Sequence, residues 1–133
     1  MATVKQFQVT FDCADPEQLA HFWCEVLGYV VPPQSGAAAD CDRVWCACTD
    51  PTGAGPRLLF QRVPEGKVVK NRVHLDVRVG TGLVGAERLV ALRAECDRLA
   101  LLGAMCVRVM IADGNNESCI VMQDIEGNEF CLD

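Results

Sequence analysis

The chain has no stretch of apolar residues long enough to span a membrane, no basic stripe, no C-x-x-C pair and only two histidines. The first absence excludes an integral helical membrane protein. The second, with a net charge of −6 and a pI near 4.8, argues against nucleic acid and against an acidic lipid surface, since nothing offsets phosphate charge. No signal-peptide pattern opens the sequence, so the expectation is a cytoplasmic protein. The nine cysteines do not form a disulfide framework on this reading: their number is odd, and most sit among apolar residues, where a reduced thiol acts as a small hydrophobe.

What remains is a 133-residue chain, half hydrophobic and under a quarter charged, which is enough for one domain with a real core. Its most informative stretch is Val73–Val79, in which Val73, Leu75, Val77 and Val79 alternate with His74, Asp76 and Arg78. A period of two predicts a strand with one apolar face, and puts an imidazole, a carboxylate and a guanidinium in a row on the other. Phe7, Val9 and Phe11, alternating with Gln8, Thr10 and Asp12, repeat the pattern near the N-terminus.

Between and after these strands the chain reads as two similar halves. The first strand covers residues 4–11. Asp15-Pro16-Glu17-Gln18 starts a helix with an N-cap and a proline at the first turn, and Gly28 ends it. Short strands are expected at Tyr29–Val31, Val44–Cys48 and Leu58–Val63, with a loop from Pro32 to about Asp42. In the second half a helix over residues 86–102 carries Leu89, Leu92, Cys96 and Leu99 on one face, with Arg88, Glu95 and Arg98 on the other. Strands at 104–111, 119–122 and 129–132 follow. The helix ends Leu27-Gly28-Tyr29 and Leu102-Gly103-Ala104 correspond, as do the turns Asp50-Pro51-Thr52-Gly53 and Asp124-Ile125-Glu126-Gly127. This order predicts an internal duplication of a βαβββ unit, with modules of about 1–66 and 67–133.

These landmarks resemble the vicinal oxygen chelate superfamily of glyoxalases, bleomycin-resistance proteins and extradiol dioxygenases, and in particular its small glyoxalase-like branch. The carrying residues are Asp15-Pro16, Phe22-Trp23, Leu27-Gly28-Tyr29, Lys70 to Asp76, and Asp124 to Cys131. The resemblance implies an α+β fold in which two tandem βαβββ modules form an open, cleft-containing mixed sheet, with helices on the outer faces. It also implies a small-molecule ligand or substrate and a homodimer.

Catalytic members of that superfamily hold a metal on four cleft positions. The resemblance carries these onto Gln8, His74 and Cys131, and onto Gln61 as the ligand type that shares a face with Leu59 and Val63. Two amides, an imidazole and a thiol offer little charge to a hard divalent ion, which argues against glyoxalase I chemistry. The metal implied is therefore Zn, Ni, Mn or Fe, or none. His74 is read as ligand or acid–base group, and Asp76 and Glu129 as stand-in general bases. Gln8, Thr10, Trp45 and Arg78 are the candidate substrate contacts, Arg78 for an anionic group. Two functions compete: a metal-dependent lyase, isomerase or dioxygenase, and a metal-free protein that sequesters a small molecule.

Overall fold

The computed structural model describes residues 1–33 and 44–133. The chain divides into two units, Met1–Gly66 and Lys67–Asp133, each with its own sheet. The first contains β1 (Val9–Cys13), α1 (Pro16–Leu27), β2 (Trp45–Cys48) and β3 (Leu58–Arg62). The second contains β4 (Asp76–Val77), α2 (Gly85–Ala100), β5 (Met105–Met110), β6 (Cys119–Gln123) and β7 (Glu129–Leu132). The fold is α+β, with mixed sheets of three and four strands in the orders β1-β3-β2 and β4-β7-β6-β5.

α1 forms where its local signals require. The Asp15 carboxylate accepts from the Gln18 backbone N–H at 3.1 Å, Pro16 occupies the first turn, and Gly28 at φ 70° closes the C-terminus by donating to the Cys24 carbonyl. The buried face of α1 presents Leu19, Phe22, Trp23 and Val26. In the first unit Phe11 stacks 5.2 Å from Trp23 and 5.1 Å from Phe60, so strand and helix share one aromatic cluster. The alternation read for residues 4–11 becomes a strand only from Val9. Phe7 and Val4 are exposed.

β3 is the central strand of the first sheet, parallel to β1 and antiparallel to β2. The strand expected at Tyr29–Val31 reduces to a single bridge between Val30 and Thr49. Most of the loop expected at 32–42 lies outside the described residues, as does Cys41. The eight described cysteines are free thiols.

In the second unit β7 takes the central role, parallel to β4 and antiparallel to β6, with β5 at the edge. α2 buries Leu92, Cys96 and Leu99. Ile120, Met122, Phe130 and Leu132 supply the buried face of the sheet. Arg88, expected on the solvent side, instead lies over Gly80: its guanidinium donates to the Ser118 carbonyl at 3.1 Å and to the Gly80 carbonyl at 3.2 Å. A Cβ at Gly80 would press into that guanidinium, so the glycine admits the clamp.

The central stretch departs most from expectation. Only Asp76 and Val77 form strand, and Val73 is 79% exposed. β7 extends two residues beyond the pairing, to Phe130 and Glu129, but the segment before Asp76 answers to the Glu129 side chain instead of continuing the ladder. Lys67 Nζ contacts both Glu129 carboxylate oxygens at 2.9 and 3.0 Å, and the Asn71 backbone N–H donates to the same group at 2.8 Å.

Candidate functional site

Alternation along the strands places one set of side chains away from each helix. In the first unit this set comprises Gln8, Thr10 and Asp12, with Arg57, Leu59 and Gln61 from β3 and its approach, and Trp45 from β2. The registers Thr10↔Leu59, Asp12↔Gln61 and Trp45↔Gln61 fix the neighbours. Gln8 is held at both ends: Arg57 donates to its carbonyl oxygen at 2.7 Å, and its amide donates to Thr10 Oγ1 at 3.3 Å. The Arg57 guanidinium sits 5.9 Å from the centroid of the Trp45 ring. Trp45, Arg57, Leu59, Gln61, Val44 and Arg62 line a groove of about 330 Å³.

Gln8 and Gln61 are not brought together. Gln61 pairs with Asp12, four residues further along the chain than Gln8, which sets the two backbone positions about 13 Å apart along the strand direction. The residue of the first unit that corresponds to Cys131 is Leu59. Leu59 stands opposite Thr10 just as Cys131 stands opposite Asp76, and a leucine offers no donor.

The second unit concentrates chemistry. Parallel pairing sets Cys131 opposite Asp76, with the Cys131 N–H on the Leu75 carbonyl at 3.0 Å. His74 Nε2 lies 3.3 Å from Asp76 Oδ1, and the two side chains are each a little under half exposed. One donor atom from each of His74, Asp76 and Cys131 lies within 4.8 Å of the others. Burial, then the Asp76 carboxylate, the Cys119 thiol, the hydrogen bond to Asp76 and the Asp133 charge push the Cys131 thiol up to about 11. A cation on this face would reverse that preference, because it stabilises thiolate and carboxylates together.

Nitrogen, sulfur and oxygen donors in one cluster suit a borderline ion such as Zn²⁺ far better than Mg²⁺. One more observation agrees. Asp133 Oδ1 is buried with no hydrogen-bond partner among the described residues, while its other oxygen accepts from Arg78 Nη1 at 2.6 Å. The donor set of His74, Asp76 and Cys131 is thus of a kind that could hold a divalent metal.

The remaining expected residues take other places. Glu129 is 8% exposed and engaged by Lys67 and Asn71. Burial pushes its carboxyl up, but the Asn71 N–H and the Lys67 ammonium outweigh this and hold it below its usual value. Thr10 is exposed beside Gln8. Arg78 is exposed and ion-paired with Asp133. Reading the sequence had not singled out Arg57, Lys67, Cys119 or Asp133. The strand register would have found Asp133, two steps from Cys131 on the same face.

Two units that repeat strand, helix and strands, with donor-bearing residues on the faces turned from the helices, define the modular glyoxalase-like class. The sequence matches the Glyoxalase-like domain family over residues 8–132, and the chain belongs to that family, within the vicinal oxygen chelate superfamily. Among solved structures it is similar to a mutant of the fosfomycin resistance protein FosX from Listeria monocytogenes, complexed with Mn(II) and 1S,2S-dihydroxypropylphosphonic acid. The identity there is 13%, the coverage 99% of this chain and 90% of that one, and the TM-score 0.67. A glyoxalase/bleomycin resistance/dioxygenase family enzyme from Burkholderia phytofirmans PsJN is similar at 14% identity, with 94% of each chain covered and a TM-score of 0.66. The oxidase ChaP-H2 is similar at 16% identity, covering 98% of this chain and 93% of that one, with a TM-score of 0.56. At such identities these likenesses speak to fold. No curated protein matches the chain. Among the described residues no helix is long and apolar enough to cross a membrane.

Proposed function

We propose that this protein is a metal-dependent enzyme of the lyase or isomerase type, acting on a small oxygenated molecule. The observation that carries the reading is the convergence of His74, Asp76 and Cys131 within 4.8 Å on one face of the second sheet. A divalent ion held by His74, Asp76 and Cys131 would supply Lewis acidity toward an oxygen of the substrate. Arg78, exposed at the edge of the same face, attracts an anionic group on that substrate. Glu129 takes no part in proton transfer, since Lys67 and Asn71 occupy its oxygens. The Mn(II) and phosphonic acid ligand of the Listeria protein support a metal and a small anionic ligand for this fold.

The test is metal content by plasma mass spectrometry on protein purified without chelator and reloaded with Zn²⁺, Ni²⁺, Mn²⁺ or Fe²⁺, beside His74→Ala. The expected result is near-stoichiometric metal in the parent and background in the variant, whose exposed side chain can be removed without unfolding the chain. Background metal in both would overturn the reading.

A second reading, metal-free sequestration of a small planar molecule, is favoured by one observation only: the groove beside Trp45 and Arg57 in the first unit. Trp23 is buried and Trp45 is 39% exposed, so a ligand there would quench Trp45 fluorescence in the parent and leave Trp45→Phe unchanged.

A further inference from the structure

α2 and β5 meet through a pair of cysteines. Cys96 lies on the buried face of the helix with Leu92 and Leu99. On β5, Cys106 stands opposite the fully buried Met122 of β6, and directly opposite residues of an antiparallel pair share a face. Ala104, two residues earlier, is buried and donates its N–H to the Leu99 carbonyl at 3.1 Å, so the chain enters β5 against the last turn of α2. Cys106 therefore points from the sheet edge toward the helix, and the Cys96 and Cys106 thiols are hydrogen-bonded to each other. Cys96 is buried, whereas Cys106 is exposed. Cys24 and Cys48 in the first unit also share a thiol–thiol hydrogen bond, but neither of them is exposed. β5 has the freedom to turn such a contact into a bond. It is an edge strand held by β6 alone, and its register slips between Cys106 and Arg108, which leaves Val107 as the extra residue of a bulge.

We propose that Cys106 and Cys96 are a site of reversible oxidation, at which a hydroperoxide converts the thiol pair to a disulfide that staples β5 to α2. The exposed sulfur reacts first. The Cys106 thiolate attacks the peroxide: an S–O bond forms, the O–O bond breaks, and the leaving oxygen departs as water or an alcohol. The Cys96 sulfur then displaces the sulfenic oxygen. An S–S bond forms, the S–O bond breaks, and the departing oxygen takes the Cys96 proton away as water. The peroxide gains two electrons and the thiol pair loses two, so no further reactant is needed. A small dithiol reverses the step by exchange. Burial, then the contact with Cys106, push the Cys96 thiol up to about 11, so Cys96 waits for an oxidised neighbour instead of meeting the oxidant itself. The pair lies on the helix side of the second sheet, with Met122 and Phe130, while Cys131 alternates to the other side. The disulfide therefore forms whether or not a metal is bound beside His74.

The experiment uses the full chain, reduced and then exposed to a slight excess of hydrogen peroxide near neutral pH. Remaining thiols are blocked after denaturation, and the protein is digested with trypsin without reduction. Cleavage after Arg93, Arg98 and Arg108 puts each cysteine on its own peptide. The expected product is peptide 94–98 joined to peptide 99–108, at the sum of their masses less two hydrogens, separating again on addition of dithiothreitol. Cys106→Ser, a change at an exposed position, loses the link, and Cys96→Ala leaves Cys106 trapped as a sulfenic acid by dimedone. The linked parent melts about 5 °C above the reduced one, and Cys106→Ser shows no such rise. In the parent, a Cys106 that stops at sulfenic or sulfinic acid overturns the proposal. So does one that pairs with Cys106 of a second copy, or a chain in which Cys24 and Cys48 link while Cys96 stays free. A linked chain that melts no higher than the reduced one overturns the staple. Mapping of the parent decides the site even if the alanine variant does not fold.

Discussion

Replacing Glu129 by glutamine removes the charge that ties residues 67–71 to β7 and leaves the shape almost unchanged. In the native protein the carboxylate receives the Lys67 ammonium at 2.9 and 3.0 Å and the Asn71 N–H at 2.8 Å, and its side chain is 9% exposed. The glutamine oxygen can keep the Asn71 bond but loses the charge on every contact. Hydrogen bonds to charged groups contribute about 1.5–3 kcal/mol, and Lys67, a quarter exposed, recovers part of its loss in water. The expected cost is about 2 kcal/mol, or a fall of about 8 °C in melting temperature for a domain of this size. The pH dependence is the sharper readout. Because the folded carboxyl is held below its ordinary value of 4.5, its stabilisation is fully present above that value and is lost as pH falls through the folded one. Circular-dichroism melts of parent and Glu129→Gln should therefore stay apart by a constant amount from about pH 8 to pH 5, then converge below about pH 4. A gap under about 2 °C at neutral pH, or one undiminished near pH 3, would refute the anchoring role and return Glu129 to candidacy as a general base.

Two further outcomes follow from features elsewhere in the fold. Val84 sits at the N-cap of α2 in an extended conformation with no side-chain cap, and Glu87 lies three residues on, so Val84→Ser creates a capping box and should raise stability by about 1 kcal/mol in urea unfolding. Burial raises the Cys48 thiol far above its usual range, and burial with the Cys106 contact raises Cys96 to about 11. Alkylation near pH 8 mapped by mass spectrometry should therefore mark the exposed Cys106 quickly and spare Cys48 and Cys96 until the chain is denatured.

How far the sequence could be read depended on whether the determining interactions were local. α1 was legible to the residue at its start, because Asp15, Pro16 and Gln18 act on their own first turn. The units were legible because duplicated turns recur in order. Both are built on one aspartate: Asp50 accepts from the Thr52 and Gly55 N–H groups, and Asp124 from those of Glu126 and Asn128. The stretch around His74 was only half legible. Alternation marks its faces, but its extent depends on Lys67 reaching a carboxylate 62 residues away. The sequence marks Glu129 as a stand-in base, and only the fold brings Lys67 and Asn71 to its oxygens. Gln61 was chosen for its chemistry and its face, yet register, which no local pattern encodes, sets it opposite Asp12. Cys119 and Asp133 were missed for the same reason. Neither stands out along the chain, and each acquires its neighbours only through pairing across strands.

The parallel pairing of β1 with β3 and of β4 with β7 also bears on how the chain reaches its native state. In each unit the first strand waits for the last: Gln8 meets Arg57 across 49 residues, and Arg78 meets Asp133 across 55. Because β1 and β4 pair only with β3 and β7, neither sheet can be completed before the last strand of its unit is made. A helix and its capped ends can form early, but the two sheets close by late, long-range events, which are the slow kind in folding. Translation thus imposes an order: the first unit has its full complement of strands while β4 is still emerging from the ribosome, and the face bearing His74 and Cys131 is the last to exist.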